Sequence, residues 1–542
     1  MWKADGPQTA TNGTVRRIPL DGYNVDLDDI YDLAVEKGLA VVDESTKRRI
    51  GENRKLLEEI VDREPVYGVT TGYGEMVYIT IDKSKETELQ TNVVRSHAFC
   101  VGDPLSREES RAILAARINA LCRGYSGVRE ELVEAMVTFL NGGIVPLIPE
   151  AGSVGASGDL GPLSHLALAL IGEGYVLGDN DEKVPTAEML AKRNLRPLEL
   201  KYKEGLALIN GTSAMTGMGA LILRWANDQI KQAEIVAALV LENQKASDGA
   251  FRPEGHVLGR PHPGQIDSAG NALKLLEGSK LIRTHEELKM ELGQVRNGSA
   301  GQSKVYLQKA YTLRCIPQVT GAVKEAVEYA RKVVTREINS SNDNPLFFPG
   351  KEVFHGGNFH GQPVAMAMDF ACLALTQLGV VSERRTNRLL NRHLNNGLPE
   401  FLVKSDPGLN CGLSGLQYAA CDLVAENRTL CTPASVQSIS CNGDNQDVVS
   451  MGLTAARKCK RVLKNNYYIL AIELLAAVQA VDLAGQYDRL SPVGKITYQT
   501  VRSRVPTVDK DRSMSDDVYR IAGLLQEAEL LRRVREAGVD IK

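Results

Sequence analysis

The sequence predicts a mainly α-helical protein built around a central bundle of long helices. Beyond Asn210, long stretches carry few helix breakers and repeat apolar residues at helical spacing. The stretch 470–481 is apolar on nearly all faces, which is typical of a helix surrounded by other helices. A chain of 542 residues is long enough to enclose such a core.

Taken in order, the chain divides into four predicted segments. Residues 1–25 are polar and aperiodic, and they predict a loose leader. Residues 26–204 predict short elements mixed with loops, and residues 205–500 predict the bundle of long helices. Residues 501–542 predict a helical tail.

The helices expected within these segments share periodic apolar positions and few breakers. They cover 108–141, 212–241, 303–338, 364–392, 413–429, 448–487 and a charged amphipathic helix over 515–538. Pro317 and Gly321 interrupt the third of them and predict a kink there. A loop over 142–149 separates the first from the segment that carries the most informative motif.

Composition excludes several classes of function. The formal net charge is −3, and no basic stripe with interleaved aromatic residues is present, so no nucleic-acid partner is expected. The strongest apolar run, 468–478, contains Glu473 and is shorter than the ~20 residues that cross a bilayer. It therefore predicts a buried core helix, and neither a membrane partner nor a signal peptide is expected.

The metal-binding and redox residue types indicate no metal and no disulfide. The nine cysteines form no CxxC pair and have no histidine at metal spacing, so they predict free thiols in the cytoplasm. His355 and His360 suggest a metal pair at first sight, but no acidic or cysteine ligand follows them at suitable spacing.

The run Ala156-Ser157-Gly158 can form an electrophile from the chain's own backbone. If the fold bends it tightly, the Gly158 nitrogen attacks the Ala156 carbonyl, and loss of two waters makes Ser157 dehydroalanine-like. The product is 4-methylideneimidazole-5-one (MIO). Ordinary side chains supply nucleophiles, acids and bases, so an electrophile must be borrowed or built. Taken alone, three such common small residues favour a plain surface turn.

The surrounding motifs decide between these two readings. They are 67–74, 152–165, 205–212, 311–314, 339–346, 357–361 and 445–447. In this order they resemble the histidine and aromatic amino-acid ammonia-lyases and the 2,3-aminomutases. The resemblance runs from about Tyr67 to beyond Ser450, and the loop 70–78 is most similar to the bacterial tyrosine 2,3-aminomutase branch.

The resemblance implies an architecture and a cofactor. The family has an ammonia-lyase/fumarase-like helical bundle with an MIO-bearing N-terminal region. It forms homotetramers whose active sites combine loops from three protomers. MIO would form autocatalytically from Ala156, Ser157 and Gly158, so no external cofactor is expected.

The resemblance also implies catalytic roles. Tyr67 matches the family's base, and a tyrosine must be tuned downward in pKa or positioned closely to act near neutrality. Asn210 and Phe359 match residues that flank the MIO ring, with Asn210 able to donate to its carbonyl oxygen. Tyr311 would assist at the amine or the ring. For Tyr67 alone, packing of a loop is the alternative.

The resemblance also implies which residues contact the substrate. Arg314 would bind the substrate carboxylate bidentately, although a surface salt bridge is the usual fate of an arginine. The remaining predicted contacts are Gly74 in the hinged loop, Glu75 near the amine, Asn344 and Gln446 in the carboxylate pocket, and His97 at a phenolic hydroxyl. Loop capping is the alternative for the amides, and a core histidine is the alternative for His97.

These residues predict a tyrosine 2,3-aminomutase that converts L-tyrosine to β-tyrosine. The expected route is an MIO-amine adduct, abstraction of the β-proton, and re-addition of ammonia to 4-hydroxycinnamate. The alternative is a tyrosine ammonia-lyase that releases 4-hydroxycinnamate. Gln446 and Ser213 differ from the Glu and Gln typical of histidine lyases. A catalytically dead scaffold would require loss of the Ala-Ser-Gly run, Tyr67 or Arg314, and all are present.

Overall fold

The structure, a computed structural model, describes residues 15–36, 38–296 and 307–542. Its α-helices are α1 Leu27–Ala34, α2 Glu44–Val61, α3 Glu86–His97, α4 Arg107–Cys122, α5 Glu130–Asn141, α6 Leu160–Leu170, α7 Thr186–Lys192, α8 Glu204–Ile209, α9 Ser213–Asn243, α10 Pro263–Leu276, α11 His285–Arg296, α12 Tyr311–Arg314, α13 Ile316–Ile338, α14 Gln362–Leu390, α15 Ser414–Leu430, α16 Gly452–Ala484, α17 Pro492–Arg502, α18 Ser515–Gln526 and α19 Glu529–Glu536. The strands are β1 Arg17–Pro19, β2 Leu39–Val41, β3 Val101–Pro104, β4 Val145–Pro146, β5 Pro149–Ala151, β6 Tyr175–Leu177 and β7 Lys183–Pro185. The predicted mainly α-helical class is confirmed.

The described chain forms two compact units. The first contains the residues up to Arg224 together with Tyr329–Asp369 and Pro433–Arg457. The second contains Trp225–Glu328, Phe370–Thr432 and Lys458–Lys542. Each unit therefore gathers segments that are distant in sequence. The four-segment division remains a prediction.

The core of the first unit is centred on α4. Its N-terminus is closed by a capping box in which Ser106 accepts from the Glu109 N–H and Glu109 accepts from the Ser106 N–H. Every residue from Glu109 to Cys122 is buried, and α4 packs against α1 and α5. A helix buried on all faces can be held only by neighbours on all sides.

Three further helices of the first unit position the site. α3, α6 and α8 pack against one another. His97 ends α3, the Ala156–Gly158 turn lies just before α6, and Asn210 follows α8 directly. Three separate parts of the sequence thus meet at the ends of three contacting helices.

The short strands support the loops of this unit. β1 and β2 pair in parallel, β3 pairs with β5 in antiparallel orientation, and β4, β6 and β7 form a small antiparallel sheet. In the last sheet Val145 lies opposite Leu177, and Val176 lies opposite Val184. The predicted loop over 142–149 therefore contains β4, which pairs with the later strand β6, and the first residue of β5, which pairs with the earlier strand β3.

In the second unit, buried polar groups tie α14, α15 and α16 together. Asn427 donates to the Asn466 side chain at 3.0 Å and accepts from Asn465 at 2.9 Å. Arg385 pairs with Glu473 in the core, with 3.0 Å between Nη2 and Oε2. Buried amides and charges need such partners, so these contacts fix which faces of the helices meet.

Two long predicted helices are divided. The region 108–141 contains α4 and α5, separated where Gly124 and Gly127 adopt φ values of +79° and +70°. The tail contains α18 and α19, separated at Ala528, which has a φ of +51°. A residue with a left-handed backbone conformation ends a right-handed helix. The spacing of apolar residues continues across both breaks, so it did not reveal them.

The predicted kink near Pro317 is found as a break between two helices, two residues before the proline. The break lies at Cys315, between α12 and α13, and residues 303–306 of the predicted helix lie outside the described residues. Pro317 occupies the first turn of α13, where its missing N–H leaves no helical hydrogen bond unmade. Gly321 lies within α13, against the backbone of Gly264.

The predicted loose leader is only partly described. Residues 1–14 lie outside the described residues, but residues from Arg17 to Val25 are ordered against the first unit. Ile18 and Val25 are buried, and the Val25 N–H donates to Asn339 at 3.1 Å. Three-residue strands are too short to show periodicity, so no local pattern predicted β1.

Among the described residues, two helices, α14 and α16, are long and apolar enough to cross a membrane by length and composition. However, 67% and 78% of their most apolar stretches are buried inside the protein. Residues such as Ile469 and Leu475 in α16 have no exposed surface. The prediction of a buried core helix over 468–478 is confirmed.

Candidate active site

The Ala156–Gly158 run forms a tight turn, as cyclisation would require. Ala156 and Gly158 bridge each other across Ser157, and Gly158 also bridges Gly211. Gly158 has a φ of +73°, and a Cβ on it would collide with the backbone of Gly211. Only glycine satisfies both conditions at this position.

Ser157 is contacted by Asn210, as predicted, and also by Gly211 and by Gln446, which was predicted for the carboxylate pocket. Its carbonyl oxygen accepts from the Gly211 N–H at 3.2 Å and from Asn210 Nδ2 at 3.3 Å. Its hydroxyl accepts from Gln446 Nε2 at 3.2 Å. Asn210 Oδ1 is buried and has no hydrogen-bond partner in the described structure. The contacts hold both the backbone oxygen and the side chain of the residue that would change chemically.

These features fit an MIO group at this position. Cyclisation turns the Ser157 carbonyl into the ring carbonyl, and two N–H donors already point at that oxygen. The glycine at the third position allows the bend, and the close approach of Gly211 holds it. The residues that would hold the ring are therefore Asn210 and Gly211.

Asp159 holds the Ala156–Gly158 turn in place through hydrogen bonds, and no role was predicted for it from the sequence. Its buried carboxylate accepts from Ser153 Oγ at 2.8 Å and from the Met215 N–H at 2.8 Å, at the start of α9. Its own N–H donates to the Gly211 carbonyl at 2.7 Å. Burial raises the pKa of Asp159 to about 6, and the hydrogen bonds oppose that rise. Its position directly after the Ala156–Gly158 run is the sequence feature that could have identified it.

The loop that carries Tyr67 folds back on itself. The Tyr67 hydroxyl accepts from the Gly74 N–H at 2.8 Å, and its ring meets the Tyr73 ring edge-on at 6.3 Å. Gly74 has a φ of +54°, so glycine suits this bend. Burial raises the pKa of Tyr67, while the Gly74 N–H lowers it. The net shift is upward, so within the described residues the downward tuning of the Tyr67 pKa is not found.

Gln90 braces this loop, and sequence reasoning missed it. It is fully buried on α3, and its Nε2 donates to the Gly68 carbonyl at 2.9 Å and to the Tyr73 hydroxyl at 3.0 Å. Its Oε1 accepts from the Leu206 N–H in α8 at 3.2 Å. Gln90 thus links the Tyr67 loop to the helix that ends at Asn210. No motif marks it, since two of these three partners are backbone groups and all three are distant in sequence.

His97 is held in one tautomer. Its Nδ1 lies 2.9 Å from the Val93 carbonyl oxygen, which can only accept, so Nδ1 carries the hydrogen in that bond. Burial lowers the pKa of His97, and the bond to Val93 opposes the shift. The neutral ring then presents Nε2 as an acceptor. An acceptor is the group that a phenolic hydroxyl needs.

The other predicted contacts of the first unit lie in its loops. Glu75 is exposed, and a Cβ on Gly443 would lie 3.4 Å from its Cγ, which brings Glu75 beside the loop that ends in Gln446. Asn344 Oδ1 accepts from the Gly356 N–H at 2.7 Å, which is the loop-capping role. Phe359 is half-buried in a turn over 357–360.

Tyr311 and Arg314 belong to the second unit. They lie on one short helix, where the Arg314 guanidinium stacks on the Tyr311 ring at 4.6 Å. Arg314 Nε donates to the Lys309 carbonyl at 2.9 Å. This leaves the outer N–H groups of the guanidinium for a carboxylate. Tyr311 and Arg314 therefore lie next to each other on one helical face, as predicted.

Known proteins are similar over nearly the whole chain. Residues 25–503 match the aromatic amino acid lyase family. The chain belongs to this family. An MIO-dependent tyrosine 2,3-aminomutase of Streptomyces globisporus is 53% identical over 97% of this chain and 98% of its own. A tyrosine ammonia-lyase of Cupriavidus metallidurans is 52% identical over 96% of this chain and 98% of its own.

The fold of the family is shared as well. The crystal structure of the tyrosine aminomutase from Streptomyces globisporus superposes with a TM-score of 0.95, covering 97% of this chain and 100% of that one. Members of this family are enzymes, and so is this chain. The resemblance drawn from the ordered motifs is confirmed.

Proposed function

We propose that this enzyme is a tyrosine 2,3-aminomutase that moves the α-amine of L-tyrosine to Cβ and so makes β-tyrosine. The observation that carries the proposal is the arrangement around Ser157, whose carbonyl accepts from two N–H donors and whose hydroxyl accepts from Gln446. The relative from Streptomyces globisporus, named as acting on tyrosine in this way, supports the substrate and the reaction.

The proposed cofactor is MIO, formed from Ala156, Ser157 and Gly158 without any external group. When formed, it supplies the electrophile that makes the substrate's amine a leaving group. Asn210 Nδ2 and the Gly211 N–H stabilise negative charge on the Ser157 carbonyl oxygen. Gln446 Nε2 donates to the Ser157 hydroxyl, which leaves as water when the ring forms, and Gln446 is then proposed to donate to the substrate carboxylate.

Tyr67 is the proposed base that removes the β-proton. Its oxygen accepts the Gly74 N–H, and this bond stabilises the phenolate that must form. Glu75 and Phe359 are proposed to contact the amine and the ring, and Asn344 to lie at the carboxylate. Arg314 is proposed to bind the carboxylate with its outer N–H groups, with Tyr311 beside it at the amine.

His97 is the proposed specificity residue. With Nδ1 bonded to Val93, its Nε2 accepts a hydrogen bond from the phenol of tyrosine. We expect His97→Phe to lower kcat/KM for L-tyrosine by about 10- to 100-fold, because the buried hydroxyl loses an acceptor worth about 1–3 kcal/mol. The preference measured against L-phenylalanine should shift toward phenylalanine.

The matched control is His97→Gln, which keeps an acceptor oxygen at this position and should retain more of the tyrosine preference. Steady-state kinetics on both substrates check the pair. An unchanged ratio of the two kcat/KM values in His97→Phe removes His97 from the specificity role.

A homotetramer is the proposed assembly, with active sites built from three copies. Five residues of α14 are exposed at regular intervals, namely Pro363, Met366, Phe370, Leu373 and Gln377. All other residues between Met366 and Gln377 are buried. These five residues recur at alternating spacings of three and four, so they lie along one face of α14, here called the seam. Helices pack together along faces with this spacing. Tyr311, 71% exposed, also suits a role in the site of another copy.

The cytoplasm is the proposed compartment, because nine free thiols suit a reducing environment.

We expect Leu373→Arg to yield a smaller species with little activity. The side chain is 51% exposed on the seam, and a buried arginine there would be an unpaired charge between helices. Light scattering coupled to size-exclusion chromatography measures the change. Leu409→Arg, at an 82% exposed loop residue away from the seam, is the control and should leave the assembly intact. A full-size, active Leu373→Arg protein contradicts the seam.

A tyrosine ammonia-lyase is the second candidate, favoured by the relative of that name that is 52% identical. Both reactions share the elimination step and differ in whether 4-hydroxycinnamate stays bound. Incubation with L-tyrosine, followed by chromatography over time, separates the two products. Early β-tyrosine in excess of 4-hydroxycinnamate supports the mutase, and 4-hydroxycinnamate alone supports the lyase.

A further inference from the structure

The last turn of α8 exchanges one helical hydrogen bond for a bond to the Ala156–Gly158 turn. The Asn210 N–H donates to the Leu206 carbonyl at 2.9 Å, as the helical pattern from residue i to residue i−4 requires. The next bond in that pattern would run from the Gly211 N–H to the Ala207 carbonyl. The Gly211 N–H donates instead to the Ser157 carbonyl at 3.2 Å. Ala207 is buried, so its carbonyl needs another donor.

Arg117 supplies that donor. It is buried on α4, its Nε donates to the Ala207 carbonyl at 3.0 Å, and its Nη2 donates to the same oxygen. Hydrogen bonds from a charged donor are roughly twice as strong as those between neutral groups. The guanidinium therefore competes successfully with the Gly211 N–H for the Ala207 carbonyl, and that N–H is left for Ser157.

The same guanidinium fixes the position of Gly211. Its Nη1 donates to Asn342 Oδ1 at 2.9 Å, and Asn342 Nδ2 donates to Thr212 Oγ1 at 2.8 Å. A Cβ on Gly211 would lie 2.4 Å from Arg117 Nη1 and 2.6 Å from Asn342 Oδ1, so both side chains lie directly against its backbone. Gly211 is therefore held where its N–H reaches the Ser157 carbonyl.

We propose that Arg117 is a positioning residue for the reaction, because by occupying the Ala207 carbonyl it frees the Gly211 N–H to donate to the carbonyl oxygen of the MIO ring. Arg117 acts through Gly211 and not on the substrate. The inference rests on the proposed function in one respect, namely that the Ser157 carbonyl becomes the ring carbonyl. One fixed N–H donor at an oxygen that gains negative charge contributes about 10²- to 10³-fold to kcat.

Two substitutions of Arg117 test the inference. Arg117→Lys keeps the charge but lacks the planar fork that bonds Ala207 and Asn342 together. Arg117→Gln removes the buried charge, so the test continues if the lysine variant folds poorly. In both, we expect the Gly211 N–H to return to the Ala207 carbonyl. The kcat for L-tyrosine, divided by the amount of ring, should fall about 10- to 10³-fold, and KM should stay within about threefold.

Arg111→Lys is the matched control. Arg111 is buried on the same helix, and its guanidinium also donates to backbone carbonyls, at 3.1 Å to Ala34 and at 2.8 Å to Leu140. It lies against α1 and α5 and not against Gly211. Its replacement should lower the melting temperature as much as Arg117→Lys does, because each loses a buried fork of hydrogen bonds. The kcat of the control should stay within a few-fold of the wild type.

The near-ultraviolet absorbance of the ring gives a measurement without substrate. A hydrogen bond to the carbonyl of a conjugated ring moves its absorbance to longer wavelength, so both Arg117 variants should absorb at shorter wavelength than the wild type. The Arg111→Lys band should not move. Unchanged kcat and band position in folded Arg117 variants overturn the inference, as does an equal loss of kcat in Arg111→Lys.

The same absorbance separates this inference from the proposed function. A wild type without the band overturns both, because there is then no ring oxygen for Gly211 to bind. A wild type that shows the band but does not convert L-tyrosine contradicts the proposed function alone, and the position of the band in the Arg117 variants then decides the inference.

Discussion

Replacing Ser157 with alanine is expected to abolish turnover of L-tyrosine while the protein stays folded. Alanine cannot lose the hydroxyl as water, so the electrophile cannot form. The expected loss in kcat is at least about 10⁴-fold, as for removal of a covalent-catalysis residue. The near-ultraviolet absorbance of MIO should disappear with the activity. The fold should survive, because Ser157 Oγ makes one polar contact, with Gln446.

Ser164→Ala is the matched control. Ser164 is a buried serine of α6, close in sequence, whose hydroxyl donates to the Leu160 carbonyl at 2.7 Å within its own helix. Its loss should leave kcat within a few-fold and the absorbance intact. Substantial activity in Ser157→Ala would show that the reaction needs no electrophile at this residue.

Tyr67→Phe is expected to lower kcat by about 10²- to 10⁴-fold, the usual contribution of a general base. The hydroxyl is the only group removed, and the edge-on contact with Tyr73 is kept. Since burial raises the pKa of Tyr67, the ionised base should be a minor form near neutrality. The wild-type kcat/KM should then rise with pH through the alkaline range, and this rise should be absent in the variant.

Tyr73→Phe separates catalysis from loop packing. It removes a neighbouring hydroxyl in the same loop, one bonded to Gln90 at 3.0 Å. The variant should lose about 1 kcal/mol of folding free energy and keep most of its kcat. If Tyr73→Phe and Tyr67→Phe lose equal activity and the pH profile does not change, Tyr67 only packs the loop.

The sequence predicted the helical class because long helices carry their own periodic signal. α9, α14 and α16 lie close to the predicted ranges, since each has many turns of apolar spacing. The breaks at Gly124 and Ala528 were missed, because they depend on single left-handed residues inside otherwise periodic stretches. The strand β1 was missed because its partner β2 lies twenty-odd residues later and both are too short to show a pattern.

The site was predictable where its residues lie in contiguous motifs. The turn at Gly158 and the contact of Asn210 with Ser157 follow from two such motifs meeting. Gln90 was not predictable, because it acts through the backbone of Gly68 and Leu206, and side-chain identity reveals no such bonds. The raised pKa of Tyr67 depends on burial, which no local pattern reports.

The most direct test of amine transfer follows the nitrogen itself. L-tyrosine labelled with heavy nitrogen is incubated with the enzyme in excess unlabelled ammonia, and β-tyrosine is analysed by mass spectrometry early in the reaction. An aminomutase that retains the amine gives β-tyrosine that carries the label. Unlabelled β-tyrosine would contradict retention of the amine within one active site, and 4-hydroxycinnamate without β-tyrosine would identify the enzyme as a lyase.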